Sequence, residues 1–189
     1  MTEEARIYIR RVNPRDEVEF IGLMRQSISM HYPWISPPNN SNLFKSYINR
    51  IRKDDHEGFA ICSKEDDAIV GVININNIIR GSFQSGSLGY YVGEPYAGHG
   101  FMKEGLLAVL RIAFETFGLH RLEANIQPEN HNSIRLVKSC GFIKEGLSTG
   151  FLFIDGSWKD HERWCAIDNR RELRKRSVSY THLTLPTKA

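Results

Sequence analysis

Two glycines flank a histidine in the segment AGHGFM, residues 97–102, directly before a long apolar stretch with helical periodicity. Glycine costs backbone entropy and is favoured where the main chain turns sharply or approaches a ligand closely. Unpaired N–H groups at a helix N-terminus, aided by the helix dipole, bind anions. Gly98 and Gly100 therefore indicate a loop whose amides, from His99 to Met102, bind a pyrophosphate. A tight strand-to-helix turn without a ligand is the alternative.

The loop does not match the common nucleotide-binding motifs. A P-loop requires a lysine followed by serine or threonine, whereas Lys103 is followed by Glu104. A dinucleotide-binding fingerprint would require glycine at position 103. The anion-binding interpretation therefore depends on backbone amides alone.

A second group of polar residues lies in the segment QPENHNSIRLVKSCGF, residues 127–142. Asn130 and Ser133 stand at the start of a short predicted helix, where both residue types are good N-caps. Gly141 is predicted to end this helix in a left-handed conformation, after which Phe142 returns to the core. Capping alone accounts for Asn130 and Ser133, and it is compatible with a ligand-binding role.

The elements that must position these segments follow from hydrophobic periodicity and turn residues. Alternating or continuous apolar runs predict strands at residues 6–12, 58–63, 68–79, 86–92, 121–127, 144–154 and 157–167. Helical periodicity predicts helices at residues 13–30, from 41 to about 51, from about 101 to 117, and at 130–140. The order is β-α-α-β-β-β-α-β-α-β-β, which is an α/β (α+β) fold with a mixed central sheet flanked by helices.

Two of these strands are predicted to be parallel neighbours. The strands at residues 88–92 and 122–126 are joined by the helix that follows the glycine loop, as in a right-handed crossover. If they separate at their C-terminal ends, a ligand arm that carries amides can pair with the exposed edge like an additional strand. The two motifs would then lie on either side of that opening.

The element order and the two motifs resemble the GNAT acetyltransferases over residues 7 to about 168, and within them the branch that acetylates ribosomal-protein N-termini. In the family's pyrophosphate loop, Gln/Arg-x-x-Gly-x-Gly/Ala, only Gly100 matches outright. Ala97 replaces Gln or Arg, and Met102 replaces the final small residue. Asn130-x-x-Ser133, followed eight residues later by Gly-Phe, is similar to that branch's second motif.

The resemblance implies an enzyme that uses acetyl-CoA as co-substrate, without a metal ion. It implies that Asn130 binds the pantetheine amides, that Ser133 lies at the thioester sulfur, and that a strand edge pairs with pantetheine. The residues that it implies for acetyl-CoA binding are Tyr91, Val92, Gly93, Gly98, His99, Gly100, Phe101, Met102, Asn130 and Ser133.

The catalytic assignment departs from the family pattern. The tyrosine that many GNAT enzymes place seven residues after the motif asparagine is Val137 here, so Ser133 is the candidate acid. Leu152 and Asn125 occupy the positions where two branches of the family place the base. Glu123, on the same strand face as Asn125, is the candidate base, and a paired structural carboxylate is the alternative. An α-amine, with a pKa of about 7.7–8.0, needs little help from a base, and a water relay could suffice.

The sequence says less about the acetyl acceptor than about the acetyl-CoA site. A protein N-terminus, expected on a ribosomal protein, is the leading hypothesis; a small amine such as a polyamine or antibiotic, and a non-catalytic acyl-CoA-binding domain, are the alternatives. Polyamines favour an acidic cleft, and the predicted acceptor segment, residues 31–41, contains no carboxylate. Trp34, Trp158 and Trp164 are expected to flank the cleft, with core packing as the alternative for Trp34.

Composition excludes several other classes. A net charge of +3 is too small for a typical nucleic-acid-binding surface, and the histidines show no metal-ligand spacing. Cys62, Cys140 and Cys165 are scattered, which is typical of reduced thiols, and neither a signal peptide nor a membrane span is predicted. A cytoplasmic protein without nucleic-acid or membrane partners is therefore expected.

The C-terminal segment differs from the rest of the chain. Residues 1–168 are predicted to form one acetyltransferase domain, and residues 169–189 a basic tail that begins with the charge run NRRELRKR. Residues 177–189, SVSYTHLTLPTKA, resemble the translated read-through of a sequencing adaptor. They are therefore left out of the predicted fold.

Overall fold

The computed structural model describes residues 5–169. They contain a seven-stranded sheet in the order β1-β2-β3-β4-β5-β7-β6. The neighbouring strands pair antiparallel, except that β4 and β5 are parallel. The strands are β1 Ile7–Arg11, β2 Glu57–Ser63, β3 Ile69–Ile79, β4 Ser85–Val92, β5 Arg121–Ile126, β6 Ile143–Ile154 and β7 Ser157–Ile167. The predicted α/β fold with a mixed sheet is confirmed.

The α-helices are α1 Glu17–Gln26, α2 Ile28–His31, α3 Ser41–Ile51, α4 Phe101–Arg111 and α5 His131–Ser139, and a π-helix at Ile112–Thr116 continues α4. The helix predicted over residues 13–30 is interrupted at Ser27, which separates α1 from α2. The Ser27 hydroxyl donates to the Leu23 carbonyl at 2.7 Å and accepts from the Glu94 N–H at 2.8 Å. The interruption therefore coincides with a serine whose side chain bonds to backbone groups, a known perturbation of helices.

The helices cover both faces of the sheet. Leu106 and Val109 of α4 pack in one buried cluster with Leu122 of β5, on the face that α5 also covers. Phe20 of α1 and Phe44 of α3 pack in a second cluster on the opposite face. Successive side chains of a strand point to opposite faces, so β5 contributes apolar residues to the first cluster and polar residues to the other face.

A gap opens in the sheet between β4 and β5. Their pairing runs from Ser85 opposite Arg121 to Leu88 opposite Ala124 and then ends. Beyond this point β4 stays paired with β3 as far as Val92, and β5 stays paired with β7. The two parallel strands therefore separate at their C-terminal ends, as the sequence suggested, while both remain anchored on their other edges.

The predicted tail lies outside the part of the chain that the structure describes. Of residues 169–189 only Asn169 is described, so the tail and the excluded segment at 177–189 stay predictions. Within residues 5–169, every helix is too short or too polar to cross a membrane.

Candidate functional site

Three cavities meet at the gap between β4 and β5. One, of about 520 Å³, lies beside the N-termini of α4 and α5 and is called here the α4/α5 cavity. The gap cavity, of about 300 Å³, lies between the separating strands, and the hairpin cavity, of about 770 Å³, lies beside the β6–β7 hairpin. Tyr90, Asn130 and Ser133 line both the α4/α5 and gap cavities, whereas Gly89 and Leu152 line both the gap and hairpin cavities. The shared walls connect the two faces of the sheet.

The glycine loop has a left-handed backbone at two positions. Gly98 has φ +79° and Gly100 has φ +86°, a conformation that glycine adopts without the penalty of a side chain. A Cβ on Gly98 would meet nothing within 4 Å, whereas one on Gly100 would lie 3.2 Å from Nη2 of Arg6. Backbone conformation therefore accounts for both glycines even without a ligand.

The loop presents free amides to the α4/α5 cavity. Helix α4 begins at Phe101, with Gly100 as its N-cap and no side chain capping it. Its first N–H groups have no intrahelical acceptor, which makes this end of the helix suited to an anion. Of the predicted amide donors, residues 99–102, Gly100 and Met102 line the cavity, and Gly98 lines it beside them.

Arg6, in the segment before β1, contacts this loop through its side chain. Its Nη2 donates to the His99 carbonyl at 2.8 Å, and its Nε donates to Glu104 at 2.8 Å. The guanidinium also lies over the Phe101 ring, 4.7 Å from its centroid. Sequence reasoning missed Arg6, because no local pattern connects residues more than ninety positions apart.

Positive charge and a second helix N-terminus surround the same cavity. Lys103 and Arg135, in the first two turns of α4 and α5, line it together with Asn130. Asn130 caps α5, because its Oδ1 accepts from the Ser133 N–H at 3.2 Å. The Ser133 hydroxyl is thus not the cap. Two helix N-termini and two cationic side chains suit a ligand with several phosphates.

The predicted strand edge is only partly open to a ligand. The Gly93 N–H donates to the Val70 carbonyl of β3 at 2.9 Å, and the Tyr91 ring packs on Phe20 in the second cluster. Because main-chain groups alternate between the two edges of a strand, Val92 faces the gap. Its carbonyl accepts at 2.8 Å from Nε2 of His31, whose pKa is lowered by burial.

Ser133 lies beside a phenol that the sequence reasoning did not single out. The Tyr90 hydroxyl is 2.6 Å from Ser133 Oγ. Burial raises the pKa of Tyr90 above its usual value, so the phenol stays protonated at neutral pH. The alternation of β4 places Tyr90 on the face that α4 and α5 cover and Tyr91 on the face that α1 and α3 cover, a signal that was available in the sequence.

Glu123 and Ser133 are not brought together. Glu123 lines the hairpin cavity, which Ser133 does not reach. One carboxylate oxygen accepts from Arg121 Nε at 2.8 Å and the other from Arg163 Nη2 at 3.0 Å. Both oxygens of this carboxylate are therefore already bonded to guanidinium groups. Its catalytic role stays a prediction, and its contacts favour the structural alternative.

The tryptophans have different locations. Trp34 lines both the α4/α5 cavity and the gap cavity, and its carbonyl accepts at 3.5 Å from Gln127 at the end of β5. Trp158 is 66% exposed beside Phe153, and Trp164 is buried in the first cluster. Neither lines any of the three cavities, so the expectation that both flank the cleft is wrong.

The position of Leu152 and the absence of a group of metal ligands among the described residues also bear on the chemistry of the site. Leu152, where the resemblance places a carboxylate, does lie on the wall shared by the gap and hairpin cavities. The position is therefore at the cleft, although its side chain cannot accept a proton. Within residues 5–169, no group of three or more potential metal ligands is present.

Comparisons with known proteins agree with the fold. Residues 6–143 match the family model described as the acetyltransferase (GNAT) domain. The chain is 33% identical over 164 residues to the ribosomal protein uS5-alanine N-acetyltransferase of Escherichia coli, covering 82% of this chain and 84% of that protein. It is 24% identical over 160 residues to the spermidine N(1)-acetyltransferase of Vibrio cholerae, covering 82% of this chain and 90% of that protein.

A solved structure gives a similar result. The structure of Mycobacterium smegmatis RimJ in complex with CoA-disulfide superposes with a TM-score of 0.78 at 26% identity, covering 87% of this chain and 83% of that one. The sequence and the fold therefore point to the same group of relatives.

Proposed function

As the chain belongs to the GNAT acetyltransferase family and is an N-acetyltransferase that uses an acyl-CoA, we propose that it acetylates the N-terminal α-amine of a protein, with a ribosomal protein as the expected substrate. The donor in this proposal is acetyl-CoA. Its phosphates would bind at the α4/α5 cavity, and its thioester would lie in the gap near Ser133.

The charge of the hairpin cavity is the observation that favours a peptide over a polyamine as the acetyl acceptor. Glu123 is the one carboxylate among the described residues that line it, and both of its oxygens are already bound by arginines. The lining also includes Arg50, His56 and Arg163, with several asparagines. A polyamine with several positive charges would find no free counter-charge there, whereas a peptide can bond to neutral amides.

The reaction requires three tasks from the site. The acceptor nitrogen must attack the thioester carbonyl as a neutral amine, so that a C–N bond forms and the C–S bond then breaks. An α-amine is partly neutral at pH 7.5, since its reference pKa is about 7.7–8.0. The departing thiolate takes the electron pair, and the Ser133 hydroxyl can donate a hydrogen bond or a proton to it.

An acceptor panel tests the proposal. Thiol release from acetyl-CoA would be measured with a peptide that has a free N-terminal alanine or serine, with the same peptide blocked by N-acetylation, and with spermidine. At pH 7.5 we expect kcat/KM for the free peptide to exceed that for spermidine by about a hundredfold, since amines with a pKa near that of lysine are almost fully charged. The blocked peptide should be inert.

The opposite order would contradict the proposal. Faster turnover of spermidine than of every free peptide would assign the enzyme to small amines. Binding of acetyl-CoA without thiol release in any arm would also count against it.

A further inference from the structure

His161 of β7 lies on the wall of the gap cavity and takes no part in the site described above. Its side chain is only 2% exposed. Its Nδ1 lies 3.0 Å from the Lys159 carbonyl oxygen. Because a carbonyl oxygen can only accept, Nδ1 carries the hydrogen and donates it. The other ring nitrogen, Nε2, has no hydrogen-bond partner within residues 5–169.

The surroundings of His161 favour an uncharged ring. Burial lowers its pKa, and the Lys159 carbonyl and Asp160 on its own strand oppose this effect only in part. Phe151 of β6 packs on the ring at 5.8 Å, and Tyr90 is the other titratable residue on the wall of the gap cavity. Neutral imidazole with its hydrogen on Nδ1 has a lone pair on Nε2 that can accept a proton.

The position of His161 complements that of Ser133. His161 is two residues from Arg163 on β7 and so belongs to the strand face that borders the hairpin cavity. Ser133 reaches the gap cavity from α5, on the opposite face of the sheet. A proton acceptor, His161, and a proton donor, Ser133, therefore line one cavity from opposite sides. The amine substrate would enter from the side of His161, and acetyl-CoA from the side of Ser133.

We propose that His161 Nε2 is the general base of the reaction and takes the proton of the acceptor amine, directly or through one water. As the C–N bond forms, the amine proton moves to Nε2 and the ring becomes imidazolium. As the C–S bond breaks, the sulfur leaves with the electron pair and is protonated by solvent or by Ser133, which then regains its proton from solvent. The imidazolium then releases its proton to water, which restores the resting state.

A weak base is sufficient for this task. Addition to a carbonyl makes the N–H of the attacking amine far more acidic than that of the free ammonium ion. A histidine that is uncharged at the operating pH is then available to accept this proton as a general base. This also explains how the enzyme can work with Leu152 in the position where relatives of this kind were expected to carry a carboxylate.

Chemical rescue tests the proposal, which depends on the acetyl transfer proposed above. His161→Ala should lower kcat about a hundredfold, within the range for a general base, while acetyl-CoA affinity stays within about twofold. Added imidazole should restore part of the lost turnover, because it can occupy the vacated space and accept the proton. His161→Gln, which fills more of that space without a base, should be impaired to a similar extent.

Controls separate a proton acceptor from a packing residue. Imidazole should not raise the turnover of Ser133→Ala. His120→Gln, outside the three cavities, should behave like the parent. Turnover of His161→Gln above half the parent rate, or equal rescue of Ser133→Ala by imidazole, would overturn the role of His161. If the parent protein releases no thiol with any amine, the proposed acetyl transfer is contradicted. If the parent and the His161 variants are equally active, only the assignment of His161 is contradicted.

Discussion

The Tyr90 hydroxyl is hydrogen-bonded to Ser133 Oγ at 2.6 Å, which links strand β4 to the first turn of α5 beside the opening in the sheet. A phenol is a stronger donor than an alkyl hydroxyl, because its conjugate base is delocalised over the ring. If Tyr90 donates, the hydrogen of Ser133 is free to point into the cavity. Hydrogen bonds in such a chain polarise one another, so Ser133 becomes a better donor to a ligand.

Removal of the Tyr90 hydroxyl should therefore affect turnover more than binding. We expect Tyr90→Phe to lower kcat about tenfold, equivalent to about 1.4 kcal/mol, the upper part of the range for a neutral hydrogen bond. The KM for acetyl-CoA should stay nearly constant. Steady-state kinetics with Tyr8→Phe, a strand tyrosine outside the three cavities, provides the control. A combined Tyr90→Phe and Ser133→Ala variant should be no slower than Ser133→Ala alone; additive losses would show that the two act separately.

Ser133→Ala distinguishes catalysis from helix capping. Since Asn130 caps α5, loss of the Ser133 hydroxyl should hardly change the melting temperature. We expect turnover to fall about a hundredfold at nearly constant acetyl-CoA affinity, at the lower end of the range for proton donation, because a thiol with a pKa of about 8.5 can leave without full protonation. Asn130→Ala, which removes the cap, should in contrast lower the free energy of unfolding by about 0.5–2 kcal/mol. Turnover of Ser133→Ala above half the parent rate would assign the acid to water.

Gly98→Ala tests the anion-binding loop. A side chain in the left-handed region costs about 1–2 kcal/mol whether or not a ligand binds there. Gly156, with φ +75° in the β6–β7 turn and nothing within 4 Å of the position that a Cβ would occupy, provides a control with the same backbone penalty. Calorimetric titration should show weaker acetyl-CoA binding for Gly98→Ala only. Equal affinities for the two folded variants would exclude the loop from the binding site.

Glu123→Gln tests the base predicted from the sequence against the ion pairs that the structure shows. We expect turnover above half the parent rate. The loss of stability should be about 1 kcal/mol at most, since the pairs with Arg121 and Arg163 are partly exposed to solvent. A loss in kcat of a hundredfold or more without unfolding would instead establish Glu123 as the base, and would count against His161.

Acid should destabilise the protein through its buried histidines. Burial lowers the pKa of both His31 and His161, so the unfolded chain binds more protons than the folded one once the pH falls toward 6.5. Stability is thus fully present above pH 6.5 and declines as the pH falls through the unfolded-state pKa. Melting temperatures between pH 7.5 and 5.5 should fall less steeply in His161→Gln than in the parent. Parallel curves would show that His161 is protonated equally in both states.

Local patterns in the sequence were sufficient for the strands and helices and for their order along the chain. Alternation, helical periodicity and turn residues predicted the seven strands and their order, and two glycines before an apolar run predicted the loop that opens α4. The separation of β4 and β5 was suggested by two parallel strands with motifs at their ends. The strands, helices and turns depend on neighbours within a few residues, which is why they are readable from one chain. The break at Ser27 was missed, because its hydroxyl bonds to a backbone amide of Glu94, distant in sequence.

Only the tertiary structure decided which side chains meet at the site. Tyr90 joins Ser133 across 43 positions, Arg6 reaches the glycine loop across 93, and His161 enters the gap cavity from a hairpin near the end of the described chain. The carboxylate expected to act as a base, Glu123, is bound by arginines on its own and a neighbouring strand. Each contact is fixed by sheet order and register, in which residues far apart in sequence become neighbours, and no local pattern records that pairing.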